Sequence, residues 1–255
     1  MSDAAKPIAV TMFGVADGTR IAWREIGEGR ALLLIHGFFS DAITNWMKFT
    51  PTAQRLADAG FRVIMPDLRG HGSSDRPHDP AAYPLDILAD DQIALLDHLG
   101  ITDYDLAGYS LGARTAARLL ARGAGPRRAI LSGMGLAGLT TTGTRKAYFR
   151  NILTNIGTHA RGSAEWLAEA FLKSSGGDAI ALNLLLDSFV DTPIAALQRF
   201  DLPIGVVCGS EDDDNGSAAD LAACLPQGKL ITVPGTHMSA VTRPELGEAF
   251  VKFLT

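Results

Sequence analysis

The decisive stretch runs Asp105-Leu106-Ala107-Gly108-Tyr109-Ser110-Leu111-Gly112-Ala113-Arg114. The short apolar run Asp105 to Ala107 reads as a buried strand, and the pattern from Leu111 to Arg122 reads as a helix. Between them there is room only for a sharp turn centred on Ser110. Such a turn strains the serine backbone, and the glycines two positions to either side, Gly108 and Gly112, remove side chains that would clash. The hydroxyl then stands exposed at a helix N-terminus, whose free N–H groups and dipole favour developing negative charge. An ordinary N-cap serine would need neither glycine. Ser110 is therefore the candidate nucleophile.

On both sides of this stretch, apolar runs of strand length alternate with helical patterns, the sign of a mostly parallel sheet covered on both faces. The runs are Ala31 to Ile35, Phe61 to Met65, Arg128 to Leu131, Pro203 to Cys208 and Lys229 to Val233. The helical patterns fall at about Trp46 to Ala59, Leu85 to Leu99, Ser217 to Cys224 and Pro244 to Phe253. Ile8 to Phe13 and Thr19 to Glu25 flank the turn signal Ala16-Asp17-Gly18 and predict an antiparallel hairpin at one sheet edge. The fold class expected is α/β: a mostly parallel, twisted sheet of about eight strands with helices on both faces. From about 138 to 200 no strand pattern occurs, only helical segments such as Ala164 to Leu172 and Ala179 to Phe189. This predicts a helical lid inserted between two strands, over one edge of the sheet, within a single domain spanning 1–255.

Composition agrees with one large core. A chain of 255 residues, 47% hydrophobic and 20% charged, lies at the upper end of what one core organises and is neither disordered nor fibrous in character. Its net charge of −5 is not gathered into a block of either sign, so neither a nucleic-acid nor a membrane partner is expected. Met1 to Phe13 lack the basic and long apolar regions of a signal peptide, and no apolar run is long enough to cross a bilayer. A cytoplasmic protein is expected. The two cysteines, Cys208 and Cys224, make a poor disulfide framework for this length and are expected to be free thiols.

These motifs and their order resemble the α/β-hydrolase superfamily, and within it the carboxylesterase-like serine hydrolases. The family order of nucleophile, acid and histidine is matched by Ser110, an acidic cluster after Cys208, and His237 in Pro234-Gly235-Thr236-His237. An imidazole suits a general base because its pKa lies near neutrality. Gly209-Ser210-Glu211-Asp212-Asp213-Asp214 offers four carboxylates where one is needed to orient that imidazole, and the residues alone leave the choice open. The family's spacing, with the acid three residues after the glycine that ends the strand, implies Asp212. The resemblance likewise implies that His36-Gly37-Phe38 is an oxyanion loop, with the backbone N–H groups of Phe38 and Leu111 as donors and His36 bracing the loop. Asp67-Leu68-Arg69-Gly70-His71-Gly72-Ser73-Ser74-Asp75 resembles a family loop that shapes the site without doing chemistry. His36, Asp67 and His71 lack a recognised metal-ligand spacing, so neither a metal nor a cofactor is expected.

A serine at this position excludes the superfamily branches that attack with an aspartate, among them haloalkane dehalogenases and epoxide hydrolases. The resemblance implies acyl transfer to water through an acyl-enzyme, and the apolar insertion points to a small-molecule ester with a partly apolar acyl or alcohol part. C–C bond hydrolysis, lactone or amide cleavage and perhydrolysis would use the same residues. A non-catalytic small-molecule receptor on the same fold is the alternative of another class, and an intact Ser, His and acid argue against it.

Overall fold

In the computed structural model, which describes residues 8–255, the chain opens with a hairpin, β1 (Thr11–Gly14) antiparallel to β2 (Arg20–Ile26). Residues 1–7, part of the N-terminal stretch read above for a leader, lie outside the described residues. Then follow β3 (Arg30–Ile35), β4 (Phe61–Pro66), β5 (Tyr104–Tyr109), β6 (Ala129–Ser132), β7 (Ile204–Gly209) and β8 (Gly228–Val233). They form one sheet in the order β1-β2-β4-β3-β5-β6-β7-β8. β2 runs antiparallel to β4, and every pairing from β4 across to β8 is parallel. The chain is thus an α/β protein with an eight-stranded, mostly parallel sheet.

The helices are α1 (Thr52–Asp58), α2 (Ile87–His98), α3 (Leu111–Ala121), α4 (Leu136–Thr140), α5 (Gly143–Thr154), α6 (Ala164–Ser174), α7 (Ala179–Leu185), α8 (Ile194–Leu197), α9 (Ala218–Cys224), α10 (His237–Ala240) and α11 (Pro244–Leu254). Alternate residues of a strand face opposite sides, and the core divides accordingly. Leu33, Ile35, Leu106 and Leu131 pack in one cluster with Leu95, Leu119 and Leu221 of α2, α3 and α9. Leu32, Leu34, Ala107 and Ile130 pack in another with Leu56 of α1 and Phe250 and Leu254 of α11. Each such side chain removed from water contributes about 1.5–3 kcal/mol, so helices are held on both faces.

Two elements differ from the sequence reading. The pattern from Trp46 to Ala59 is not one helix but a π-helical turn at Thr44–Lys48 followed by α1. Pro51 explains the break, because it has no N–H to donate and its ring obstructs the preceding turn. The insertion runs from α4 to α8, beginning two residues before the predicted 138, and the boundary between α4 and α5 falls in Thr140-Thr141-Thr142-Gly143-Thr144, which has the composition of a loop.

The chain leaves β3 for β4 on one side and returns to β5 on the other. The C-terminal ends of β3 and β5 therefore open a crevice at the point where strand order reverses, which is where open α/β sheets bind ligands. The insertion lies over this end, with Phe149 of α5 edge-on against Phe38 at a centroid distance of 4.8 Å. No helix among the described residues is long and apolar enough to cross a membrane.

Candidate active site

Ser110 closes β5 with φ 55° and ψ −111°, one of three non-glycine residues with positive φ among the described residues. Such a conformation costs on the order of 1–3 kcal/mol and persists only where the surroundings enforce it. Here the Ser110 N–H donates to the Ser132 carbonyl of β6 at 2.8 Å. The flanking glycines leave no clearance: a Cβ on Gly108 would lie 2.2 Å from the Gly112 carbonyl carbon, and one on Gly112 would lie 2.1 Å from the Ile35 carbonyl oxygen. α3 therefore packs directly on the backbone of β3 and β5.

Ser110 Oγ lies 3.0 Å from His237 Nε2, and His237 Nδ1 lies 2.9 Å from Asp212 Oδ2. Of the four neighbouring carboxylates only Asp212 turns inward; Glu211, Asp213 and Asp214 are exposed, and Asp214 pairs with Arg145 at 3.2 Å. Burial alone would raise the Asp212 pKa, but the hydrogen bond and charge of His237, with the Cys208 thiol and the Asp214 N–H, hold it below the ordinary carboxylate value. Burial first, and then the Asp212 charge, push the Cys208 thiol up to about 12, so it stays a donor. An ionised Asp212 can only accept from His237, which puts the imidazole proton on Nδ1 and leaves Nε2 free to act as a base. His237 itself opens α10, whose Thr236 and Ser239 cap each other's backbone, and the Tyr109 hydroxyl donates to the His237 carbonyl at 2.5 Å.

Across from this chain lies the loop after β3. The Gly37 N–H donates to Asn45 Oδ1 at 2.9 Å. His36, fully buried, accepts from the Leu68 N–H through Nε2 at 2.9 Å and donates from Nδ1 to the Gly37 carbonyl at 2.8 Å. Burial lowers its pKa, so it is a neutral bridge between two loops. Asp67 likewise accepts from Arg24, the Ala42 N–H and the Ser73 N–H, each at 2.8 Å. Among the described residues no group of three or more His, Cys, Asp or Glu is arranged to hold a metal ion. Phe38 lines the same cavity as Ser110, and Leu111 opens α3, so its N–H is one of the donors that any helix leaves without an internal partner.

That cavity measures about 160 Å³ and is bounded by Gly37, Phe38, Asn45, Tyr109, Ser110, His237 and Met238, with Phe171 from the insertion. Of the other insertion aromatics, Phe149 packs on Phe38 and Phe39, Phe189 on Phe38, and Tyr148 on Phe149, while Trp166 is half-buried. Asn45 and Tyr109 were not singled out as site residues from the sequence. Tyr109 stands inside the motif, but nothing local marks an asparagine in a helical pattern as the brace of a distant loop. Its Nδ2 is buried and lacks a partner.

Residues 30–142 match the family model described as alpha/beta hydrolase fold. Over these residues the chain is similar to the α/β-hydrolase superfamily. Within it, the chain is 36% identical over 100 residues to epoxide hydrolase 2 of Siraitia grosvenorii, covering 39% of this chain and 30% of that protein. It is 37% identical over 108 residues to 2-hydroxymuconate semialdehyde hydrolase of Pseudomonas sp. strain CF600, covering 42% and 37%. The match thus spans about a third of the length of these superfamily relatives. A thermophilic esterase from Thermogutta terrifontis superposes with a TM-score of 0.77 at 23% identity, over 96% of this chain and 98% of that one, a likeness of fold.

Proposed function

We propose that this protein is a serine hydrolase that cleaves a carboxylic ester of a small, partly apolar molecule through an acyl-enzyme. The reading is carried by the unbroken pair of hydrogen bonds from Asp212 through His237 to the strained Ser110. His237 Nε2 takes the Ser110 proton as Oγ attacks the ester carbonyl carbon. The Phe38 and Leu111 N–H groups receive the oxyanion, each lowering the barrier by about 3 kcal/mol. The proton passes to the departing alkoxide, and a water deprotonated by the same nitrogen then releases the acid. Asp212 fixes the tautomer and stabilises the imidazolium.

The likeness to an epoxide hydrolase does not extend to this chemistry. Opening an epoxide with Ser110 would form an ether, which offers water no carbonyl to attack and would leave the enzyme alkylated. The likeness to 2-hydroxymuconate semialdehyde hydrolase supports a second reading, cleavage of a C–C bond beside a carbonyl, and lactone hydrolysis or perhydrolysis would engage the same residues. The free thiols of Cys208 and Cys224 suit a reducing compartment such as the cytoplasm.

A chain-length series of p-nitrophenyl esters, assayed with wild type and Ser110→Ala, tests the proposal together with a fluorophosphonate label mapped by mass spectrometry. Expected are a loss of turnover on the order of 10⁴-fold or more in the variant and label on Ser110. No turnover and no label on folded protein would overturn it in favour of a non-catalytic receptor.

A further inference from the structure

One turn along α3 from Ser110, Arg114 carries a charge that the fold leaves uncompensated. The residue is 6% exposed, and its backbone N–H donates to the Ser110 carbonyl at 3.0 Å. Its Nη1 is fully buried without a partner, and no carboxylate or carbonyl among the described residues accepts from its guanidinium. The neighbouring arginines are paired: Arg118 holds Asp86 through bonds of 2.8 and 2.5 Å, and Arg145 holds Asp214. Asp191 acts on Arg114 only from a distance, its carboxylate accepting from the Thr142 N–H at 2.8 Å. Arg114 has instead the ring of Phe189, 5.4 Å from the guanidinium carbon. Burial lowers its pKa to about 10, which leaves it charged at neutral pH. A desolvated cation without a counter-ion is expensive to maintain, and a lone water would not neutralise it.

The side chain borders a cavity of about 20 Å³ whose walls include Leu111, Thr115, Ser188 and Phe189, with Asp86 and Arg118 already paired to each other at its edge, so only a small terminal group could enter it. Phe189, in the wall of this cavity, packs against Phe38 at 6.2 Å, and Phe38 lines the cavity that holds Ser110. The Phe38–Phe189 contact thus joins a wall of one space to a wall of the other, and Leu111, next to Ser110 in the chain, lines the smaller one.

We propose that Arg114 receives a carboxylate of the substrate: the ester cleaved at Ser110 is the monoester of a dicarboxylic acid, whose free carboxylate passes Phe189 to pair with the guanidinium. This rests on the ester-hydrolase reading above. A planar guanidinium matches a carboxylate through two parallel hydrogen bonds. A site built on a buried charge also rejects an uncharged isostere strongly, because that ligand leaves the charge unpaired.

Ethyl pentanoate and monoethyl glutarate differ only in a terminal methyl against a carboxylate, and their hydrolysis is followed by pH-stat. Wild type is expected to favour monoethyl glutarate in kcat/KM by about tenfold or more. Arg114→Gln is expected to shift the ratio of the two by roughly a hundredfold toward ethyl pentanoate, and Arg114→Lys to restore part of it. A wild-type preference for ethyl pentanoate, or a ratio unmoved by Arg114→Gln, would overturn the proposal and leave Arg114 holding a water only. A second measurement needs no turnover: millimolar glutarate should raise the Tm of wild type and of Ser110→Ala but not of Arg114→Gln. If neither ester is cleaved, the hydrolase reading falls by itself; a glutarate-dependent rise in wild-type Tm then sustains the anion site, and its absence overturns that too.

Discussion

Two regions meet at Ser110 and are built on opposite principles. At the ends of β3 and β5 the backbone itself is the structure: Gly108 and Gly112 have no space for a Cβ, and His36, Asp67 and Asn45 spend their buried polar atoms on loop N–H groups. The insertion from α4 to α8 reaches the site through side chains alone, Phe149 against Phe38 and Phe171 into the cavity. Its helices bury Leu139, Ile152, Leu182, Leu185 and Leu197 in the core but leave Leu167, Ile180 and Ile194 exposed; surface pairs such as Arg150 with Asp187 add little individually. Placement of the reacting groups thus belongs to rigid backbone. The shape presented to a substrate belongs to replaceable side chains on the inserted layer.

The largest effect should come from disturbing the first region at its chemistry. Asp212→Asn keeps the side-chain shape but can donate to His237 Nδ1, which drives the imidazole proton to Nε2 and removes the base facing Ser110. A fall in kcat on the order of 10⁴-fold is expected, with far-UV circular dichroism unchanged. A loss of only a few fold would assign the orienting role elsewhere in the acidic cluster.

Next comes the backbone. Gly112→Ala must push α3 away from the Ile35 carbonyl or distort β3, and is expected to destabilise the protein by more than about 3 kcal/mol, read from its urea midpoint. A change below about 1 kcal/mol would mean that the elbow has slack, and the contrast between the two regions would fail.

The bracing loop makes the same region sensitive to acid. His71 is 2% exposed with Nε2 unpartnered, and burial, followed by the nearby His36, pushes its pKa down to about 3. The unfolded chain takes up this proton near pH 6.5, well before the folded protein does. Stability is therefore full above about pH 6.5 and falls as pH drops toward 3, by up to about 1.4 kcal/mol per pH unit for such a group. Urea midpoints from pH 7 to 4 should decline less steeply in His71→Gln than in wild type; parallel curves would place the acid sensitivity elsewhere.

The same contrast explains what could be read from residues alone. The strands and the elbow are legible because close packing imposes local rules: apolar runs between breakers, and glycine where a Cβ cannot fit. The position of His237 follows from the order of motifs. Asp212 is different, since four adjacent carboxylates look alike to any local rule, and only the backbone path after β7 turns one of them inward. Arg114 is less legible still. Its solitude is a property of what surrounds it in space, and a helix bearing two arginines gives no sign of which one lacks a counter-ion. α4 and α5 are less legible than α6 and α7 because the run Thr140 to Thr144 between them has the composition of a loop.

The smallest effect expected tests the second region. Phe171 is half-buried on α6 and contributes to the cavity wall without a hydrogen bond or a charge. Phe171→Ala should leave stability within about 1 kcal/mol, because little surface is taken from a packed core. It enlarges the cavity on the side away from β3 and β5, so the preferred acyl length among p-nitrophenyl esters should move to longer chains, by about two- to tenfold in relative kcat/KM. Such a shift with kcat for the shortest ester preserved would separate selection by the insertion from chemistry at the strand ends. An equal loss for every ester would show that Phe171 supports Ser110 and His237 themselves, and the two regions would then be one mechanical unit.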